Sequence, residues 1–451
     1  MKTTTPAATT VLSRTTLLLM ATACGLCAGA NYFNQPLLNS MVRHLQISDA
    51  QASSTVTMAQ VSYGLGLLFL VPLGDMLERR RLVLTLMLLA ACGMLLSGIS
   101  GLAGSFALLA AGTLMAGVFS VAAQVLVPMA ATFAAPGTSG RAVGLVMSGL
   151  LIGILASRSV AGILSHLGGW STVYWAGAIA TAFMALLLAR ALPKAAPAAP
   201  VSYGEVMKSL GDLLRRHPRL RSRALIGGTG FATVSVLFST MALLLAGPGF
   251  ELSDLMIGLI GIVGIAGALM ANVAGRMADK GLEQSTTLAG AILMLLGWLC
   301  LWLGGSSIWW FMLGLLVVDG ALQALHISNQ NVVYALAPEA RSRLNAVYMT
   351  TYFLGASLGS ALGSWAWLHH GWTGTSLMGG LLGLLTLTMV LWDRCLLERS
   401  RSQSILIAVS TLPISDTARN HEKIPAEPPL CGDFYRGERT AQASSAFTRL
   451  T

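Results

Sequence analysis

Charge is the scarcest property of this 451-residue chain, because only 10% of its residues are Asp, Glu, Lys or Arg. Soluble globular proteins carry roughly 25%. With 55% hydrophobic residues and a mean hydropathy of +0.70, the composition predicts a surface that faces lipid. The net charge of +10 does not indicate nucleic-acid binding, because the basic residues form no patch interleaved with aromatic residues.

Motifs of several enzyme classes are also missing. The six cysteines form no metal-ligand pattern, and Cys24 and Cys27, a lone CxxC pair in an apolar run, are interpreted as membrane-helix cysteines. The sequence has no phosphate-binding GxxxxGK[ST] loop and no nucleophile–base arrangement. We therefore expect no enzyme activity, no metal and no cofactor. No cleavable signal peptide is expected either, because the first apolar run lacks a cleavage site.

Long apolar runs dominate what is present. About 20 helical residues cross a bilayer core of ~30 Å, and twelve segments of that kind occur. They begin near Thr15, Ala52, Leu82, Gly104, Ala142, Ser171, Ser222, Asp254, Gln284, Ile308, Leu344 and Thr375. The sequence predicts an all-α membrane protein with twelve transmembrane helices in two six-helix bundles.

The domain boundaries follow from changes in composition. We expect a cytoplasmic N-terminus (1–14), a first bundle (15–191), a cytoplasmic linker (192–221), a second bundle (222–393) and a disordered cytoplasmic tail without a role in transport (394–451). The linker opens with the Ala/Pro-rich stretch PKAAPAAP and continues as a short amphipathic basic helix.

The basic residues predict the orientation. If the helices alternate in direction, nearly all loop lysines and arginines fall on one side, and Arg43 stands alone on the other. Positively charged loops stay in the cytoplasm. Both termini are therefore expected inside a cell membrane, with the bacterial inner membrane as the expected location and a monomer as the expected state.

The two halves repeat each other. Asp75 after helix 2 corresponds to Asp279 after helix 8, and the pair Gly169–Trp170 before helix 6 returns as Gly371–Trp372 before helix 12. Pro136 and Arg141 likewise correspond to Pro338 and Arg343. Correspondences at one offset of about 200 residues indicate duplication of a six-helix unit, with both copies in the same orientation.

The loops after helices 2 and 8 carry a family resemblance. They read PLGDMLERRR and AGRMADKGLE, and the segments NYFNQPLL and NQNVVYALAPEARSRLNAVYM add to the pattern. Over about residues 15–393 the chain resembles the major facilitator superfamily, and within it the drug- or arabinose-efflux branch of drug:proton antiporters. The first loop departs from the family pattern at Val71 and Glu78, where glycines are usual.

The resemblance implies a central cavity lined by helices 1, 4, 7 and 10, and a charged cytoplasmic gate that meets helix 11. The implied gating residues are Asp75, Arg79, Arg80, Arg81, Asp279, Lys280, Arg341 and Arg343. The alternative is that these charges only orient the loops. The arginine that many proton-coupled members carry in helix 4 is replaced by Gly112 and Thr113, which leaves the coupling scheme open.

Helix 10 carries the only carboxylate that lies well inside a predicted helix, Asp319. Gln323, His326 and Gln330 follow on the same helical face. Because an ionisable group near mid-bilayer costs ~2.5–3.5 kcal/mol or more, Asp319 is a candidate proton or cation site, with His326 as a relay. The alternative is a buried structural hydrogen bond or ion pair.

Arg158 in helix 5 is the second intramembrane charge. Three interpretations stay open for it: an ion pair with Asp319, an anchor for an anionic substrate, and a brace between helices. Uncharged candidates for substrate contact are Asn31, Asn34 and Gln35 at the outer end of helix 1, and Gln124 on helix 4. Each of these also fits an ordinary helix–helix hydrogen bond.

Glycines recur every four residues on helices 5 and 11, at Gly149, Gly153, Gly355, Gly359 and Gly363. Small residues at this spacing let helices approach closely, and we expect these seams where the two halves slide. Tyr348 and Tyr352 precede the second seam and are candidates for substrate contact or packing.

The sequence thus predicts a transporter that exports a small organic molecule, drug or sugar-like, against proton entry by alternating access. Its expected partners are the solute, protons and the lipid bilayer. Proton-coupled uptake and facilitated uniport remain alternatives, because the helix-4 arginine is absent. A membrane sensor that transports nothing is a third alternative, disfavoured by the polar stripe on helix 10.

Overall fold

The computed structural model describes residues 12–135, 138–193, 202–337 and 341–410, and every regular element in these ranges is helical. The α-helices are α1 (Arg14–Ala30), α2 (Leu38–Leu45), α3 (Asp49–Phe69), α4 (Arg79–Ala103), α5 (Phe106–Phe119), α6 (Ala122–Thr132), α7 (Ser139–Gly168), α8 (Trp170–Ala191), α9 (Tyr203–Arg216), α10 (Pro218–Leu245), α11 (Asp254–Asp279), α12 (Glu283–Leu303), α13 (Ile308–Leu336) and α14 (Arg341–Ser410). Two 3-10 turns, Gln35–Leu37 and Val71–Asp75, follow α1 and α3.

Ten described segments are long and apolar enough to cross a membrane. One of them, Arg343–Glu398, contains Gly371 in a non-helical conformation (φ 56°, ψ −145°), so α14 consists of two helices joined at this residue. Large apolar side chains such as Ile152, Ile179 and Phe183 are 60–67% exposed on the outside of the molecule. Exposed apolar surface on helices of this length is the pattern of a multi-pass membrane protein.

Two predicted helices are interrupted. Predicted helix 1 consists of α1, the 3-10 turn that contains Pro36, and α2, because proline at the second position of the turn cannot continue the helical hydrogen bonding. Predicted helix 4 consists of α5 and α6, which meet at Ser120 and Val121. Predicted helices 5, 7 and 10 correspond to α7, α10 and α13, and helices 11 and 12 to the two parts of α14.

Local signals set the helix ends. Ser13, Ser48 and Ser105 each accept a hydrogen bond from the first turn of α1, α3 and α5, as N-cap residues do. Gly104 ends α4 with φ 61°, a conformation that favours glycine. Short turns join most of the membrane-length helices. They define a basic end, where Arg79 and Arg141 begin α4 and α7, and an opposite end near Arg43.

Close glycine contacts hold neighbouring helices of each half together. A Cβ atom at Gly149 or Gly153 of α7 would overlap the backbone of α1 at Ala21 or Gly25. In the second half, a Cβ atom at Gly355 or at Gly359 would meet the backbone of α10, and one at Gly363 would lie 2.8 Å from Val236 of α10. The expectation that these seams separate the sliding halves is therefore wrong, because the glycines face a partner helix of their own half.

The linker contains the predicted amphipathic helix as α9, with Val206 and Leu210 buried. A capping box begins it: the Ser202 hydroxyl accepts from the Glu205 backbone, and the Glu205 carboxylate accepts from the Ser202 N–H. These hydrogen bonds lower the pKa of Glu205. The Tyr203 hydroxyl donates to the carbonyl of Phe69 at 3.2 Å, which ties α9 to the end of α3.

The chain divides into two units, Met1–Asp393 and Arg394–Thr451. The division falls where the sequence analysis places the start of the tail. Helix α14 nevertheless extends to Ser410, so the first part of the tail is helical rather than disordered. The apolar run ILIAV lies in this stretch and favours continued helix. The remainder of the predicted tail, 411–451, lies outside the described residues.

Candidate functional site

A small internal cavity of about 140 Å³ lies between the two halves of the chain. Its wall takes residues from the turn after α1, from α6 and α7 of the first half, and from α10, α13 and α14 of the second. The polar and aromatic members are Tyr32, Gln124, Arg158, Phe231, Phe238, Asp319, Gln323, His326, Gln330, Tyr334, Asn345 and Tyr352. A mixed lining of this kind, apolar with a few convergent polar groups, is typical of small-molecule sites.

The polar stripe on α13 faces this cavity. Asp319, Gln323, His326 and Gln330 all contribute to its wall, as expected for positions that share one face of a helix. Asp319 is 5% exposed, and the other three are half-buried. The predicted stripe therefore brings four polar side chains to one surface.

Of these four groups, Asp319 has the highest free-energy cost of burial when it is charged. In the described part of the chain, its Oδ2 atom is buried without a hydrogen-bond partner. A buried charge is expensive unless it is paired and hydrogen-bonded. An unpaired carboxylate oxygen on a cavity wall therefore needs a proton, an ion or a ligand as its complement.

Arg158 reaches the same cavity from α7. Its Nε donates to the Oε1 atom of Gln35 at 2.6 Å, and its guanidinium carbon lies 3.6 Å from the ring centroid of Phe238. Among the described residues, Arg158 and Asp319 form no ion pair within 4.0 Å. Of the three interpretations of Arg158, the direct ion pair is absent in this conformation, whereas the guanidinium does join α7 to α10 across the halves.

A second cavity of about 350 Å³ shares Gln124, Tyr334 and Asn345 with the first. It continues along α6 to Thr132, where this helix ends, and along the first turns of α7 to Val143. These positions lie at the basic end. The central cavity therefore leads toward the basic end of the molecule.

The opposite end is closed by contacts between the halves. Asp254, at the start of α11, accepts hydrogen bonds from Ser40 of α2 and from Ser165 of α7, the latter at 2.8 Å. The Ser159 hydroxyl donates to the carbonyl of Gly258 at 2.9 Å. A further cavity of about 980 Å³ is an open surface depression at this closure, and it shares no lining residue with the central one.

Further inside, α3 meets the second half through side chains. The Thr57 hydroxyl donates to Ser360 of α14 at 2.8 Å, and Gln60 donates to Ser235 of α10 at 3.1 Å. The rings of Tyr63 and Phe353 are 4.4 Å apart. These contacts extend the closure toward the cavity.

The predicted polar residues after α1 lie beside the cavity rather than on it. Asn34 donates to Thr55 at 3.2 Å, and Asn31 donates to the carbonyl of Cys27. Gln35 supports Arg158. Within the described residues, none of Asn31, Asn34 and Gln35 lines the central cavity. In this conformation Asn31 bonds to its own helix, whereas Asn34 and Gln35 bond to other helices.

The two predicted tyrosines differ in position. Tyr352 lines the cavity, and its ring centroid lies 4.7 Å from that of His326. Tyr348 is fully buried behind the wall, with its hydroxyl 3.1 Å from Nδ1 of His326. The sequence predicts that both tyrosines share one helix face, but it does not show that one lines the cavity and the other lies behind the wall.

A buried ion pair was missed in the sequence. Arg223 of α10 and Asp393 of α14 are both 0% exposed, with Nη2 and Oδ2 2.6 Å apart. Arg223 also donates to Thr287 and Asn329. Asp319 is therefore not the only deeply buried carboxylate. The sequence places Arg223 at the linker boundary and Asp393 at the last helix end, and only the pairing of these helices reveals the contact.

The predicted gate residues lie at the basic end. Arg79 donates to the carbonyl of Gly74 and to Thr132, Arg80 donates to the carbonyl of Ala189, and Arg81 pairs with Glu78 at 3.0 Å. Lys280 is exposed and Arg343 half-buried. The side chains of Asp75, Asp279 and Arg341 lie outside the described residues, as do Pro136 and Pro338.

Apolar helices of membrane length around an internal cavity with convergent polar groups are typical of a multi-pass transporter. The model of the Major Facilitator Superfamily matches residues 20–306 and 273–405. The chain belongs to the major facilitator superfamily.

Relatives by sequence and solved structures with a similar fold are also transporters. The chain is 47% identical to the uncharacterized transporter YgaY of Escherichia coli O157:H7, over 84% of this chain and 96% of that protein. It is 31% identical to the probable transporter SCO4007 of Streptomyces coelicolor, over 82% and 85%. The nucleoside transporter NupG has a similar fold, with a TM-score of 0.67 at 13% identity, over 84% of this chain and 98% of that one.

Proposed function

We propose that this transporter exports a small organic molecule in exchange for protons, by alternating access of the central cavity. In this proposal the chain crosses the membrane twelve times, in two six-helix halves: α11 supplies one crossing and the two parts of α14 supply two. The basic end faces the cytoplasm. The conformation described here is then inward-facing, closed outside around Asp254 and leading inward past Gln124 and Asn345.

The observation that carries the proposal is the position of Asp319. Its carboxylate lies on the cavity wall, contributed by α13, with one buried oxygen lacking a hydrogen-bond partner in the described residues. A proton on this carboxylate removes the buried negative charge and its desolvation cost. Asp319 therefore takes up the coupling proton when the cavity opens to the outside, carries it into this inward-facing state, and releases it to the cytoplasm when the solute binds.

Arg158 gives the cavity its fixed positive charge. Gln35 occupies the Nε–H group, whereas the rest of the guanidinium lies over Phe238 on the cavity wall. Protonation of Asp319 leaves Arg158 uncompensated, and deprotonation restores an opposite charge nearby. A change in the charge of the cavity during the cycle links proton movement to solute binding.

The charges at the basic end form the inner gate in this proposal. Arg79 and Arg80 already join the ends of α4, α6 and α8 within the first half. When the inner side closes, the loop before α4 is proposed to meet the start of α14 near Arg343 through Asp75, since a carboxylate is favoured at the positive end of a helix. The corresponding residues of the second half, Asp279 and Lys280, would meet the first half in the same way.

The test is substrate-linked proton flux in proteoliposomes. The chain is reconstituted with the variant Asp319→Asn, and a panel of drugs and sugars is screened for flux driven by a pH gradient. We expect Asp319→Asn to lose proton-linked accumulation while it retains exchange of labelled for unlabelled solute, because the amide keeps the shape of the site but cannot release a proton.

The control is Asp212→Asn on the linker helix α9, which removes a carboxylate far from the cavity and is expected to leave coupling unchanged. Intact coupling in Asp319→Asn would remove this residue from the mechanism. Solute entry rather than exit under an inward proton gradient would replace export by uptake.

A further inference from the structure

Behind the cavity wall, a row of polar groups connects His326 to the buried ion pair of the second half. Nδ1 of His326 lies 3.1 Å from the Tyr348 hydroxyl. Asn329 lies beside Tyr348, and its side-chain nitrogen makes no hydrogen bond among the described residues. On its other side, Asn329 accepts from Nη1 of Arg223 at 3.1 Å, and Arg223 pairs with Asp393. Helices α13, α14 and α10 each contribute to this row.

The direction of the row is set at its charged end. An arginine guanidinium only donates hydrogen bonds, so Asn329 must turn its carbonyl oxygen toward Arg223. The amide nitrogen of Asn329 then points toward Tyr348, where it can only donate. The lone pairs of the Tyr348 oxygen therefore face an N–H group, and its own O–H hydrogen is directed elsewhere.

That hydrogen has one acceptor among these groups, Nδ1 of His326. The opposite arrangement, with an Nδ1–H donating to Tyr348, would leave the buried hydroxyl hydrogen facing another donor. Tyr348 is 0% exposed, so water does not relieve this conflict, and an unmade buried hydrogen bond is destabilising. The neutral imidazole then carries its proton on Nε2.

We infer that Tyr348 is a positioning residue that fixes His326 as the Nε2–H tautomer, so that the cavity wall presents an N–H donor at this point. His326 is half-buried and lines the cavity, with Nδ1 already engaged. The complementary solute group is a hydrogen-bond acceptor: a carbonyl, carboxylate, hydroxyl or phosphate oxygen. This consequence for the solute rests on the proposed transport function, whereas the tautomer does not.

The tautomer is measurable without a substrate. The full chain is labelled with ring-¹⁵N histidine, reconstituted in lipid bilayers and studied by solid-state NMR near neutral pH. Protonated and unprotonated ring nitrogens have well-separated shifts, and the His326 resonances are assigned by their loss in His326→Gln. We expect an unprotonated Nδ1 and a protonated Nε2 in the unmodified chain.

Tyr348→Phe removes the hydroxyl and is expected to give a mixture of both tautomers. Tyr352→Phe is the matched control, because in the described residues Tyr352 contacts the same ring without a hydrogen bond, and it should keep the single tautomer. If Tyr348→Phe does not fold, Asn329→Ala tests the same row and should also give a mixture.

A proton on Nδ1 in the unmodified chain, a fully protonated ring, or an unchanged single tautomer in both Tyr348→Phe and Asn329→Ala would each overturn the inference. None of these results bears on proton-linked flux through Asp319, so failure here and failure of the proposed function are distinguishable.

Discussion

At the scale of single residues, the Arg223–Asp393 pair joins α10 to the second part of α14. Both side chains are fully buried, and Ser222 and Gln284 add hydrogen bonds to the carboxylate. Removing one member of a buried pair leaves the other charge unpaired, at a cost of about 3–5 kcal/mol. We expect Asp393→Asn to lower the thermal unfolding temperature of the detergent-solubilised protein markedly.

The companion double variant, Arg223→Met with Asp393→Leu, removes both buried charges, and Arg219, which lies 3.5 Å from Asp393 and is 25% exposed, keeps access to water. This variant is expected to recover most of the loss, since apolar replacements of a buried pair are often neutral. Thermal unfolding followed by intrinsic tryptophan fluorescence makes the comparison. A double variant as unstable as the single one would show that the hydrogen-bonded partners Thr287 and Asn329, rather than the charge, determine stability here.

The sequence alone predicts which side chains lie together when all of them belong to one helix. Asp319, Gln323, His326 and Gln330 share a face through helical periodicity alone, and they do share a cavity wall. The Arg223–Asp393 pair depends on which helices are neighbours in space. The residues are 170 apart in sequence, and no local period indicates such a contact.

At the scale of helices, glycine identity matters most where two backbones touch. A Cβ atom at Gly153 of α7 would overlap the backbone of Gly25 in α1, which cannot yield as a flexible side chain would. Overpacking of this kind costs about 1–3 kcal/mol. Gly144, on the same helix, meets no described atom within 4 Å of an added Cβ, so alanine there should add up to about 1 kcal/mol through helix propensity.

We therefore expect Gly153→Ala to lower the thermal unfolding temperature and Gly144→Ala to leave it unchanged or raise it. The pair separates packing from propensity, because both changes are the same substitution in one helix. Equal shifts in the two variants would contradict close α1–α7 packing. The spacing of these glycines predicted a close approach, but the partner helix became known only from the fold.

At the scale of the whole molecule, the closed end around Asp254 and the cavities that extend toward the basic end fit one of the two states of the proposed alternating-access cycle. Because the cavities extend toward the basic end, a water-soluble reagent should reach them from that end only. A cysteine at Asn345, which lines both cavities, should react with a membrane-impermeant thiol reagent added at the basic end and not at the other. Reaction from the opposite end alone would reverse the proposed sidedness.

In the proposed cycle the closure between the halves opens, so a covalent bond across it should stop transport. Thr57 and Ser360 belong to different halves, with hydroxyl oxygens 2.8 Å apart, and cysteines at these positions lie within reach of a disulfide. In a background in which Cys92, Cys300, Cys395 and Cys431 are serine, we expect oxidation of the Thr57→Cys/Ser360→Cys variant to abolish flux and reduction to restore it.

The control pair is Asn34→Cys/Thr55→Cys. Both residues belong to the first half, with Nδ2 of Asn34 3.2 Å from Oγ1 of Thr55, and this variant should keep transporting when oxidised. Full flux through the cross-linked first pair would mean that the two halves do not separate at this surface, and a rocking motion about the central cavity would have to be abandoned.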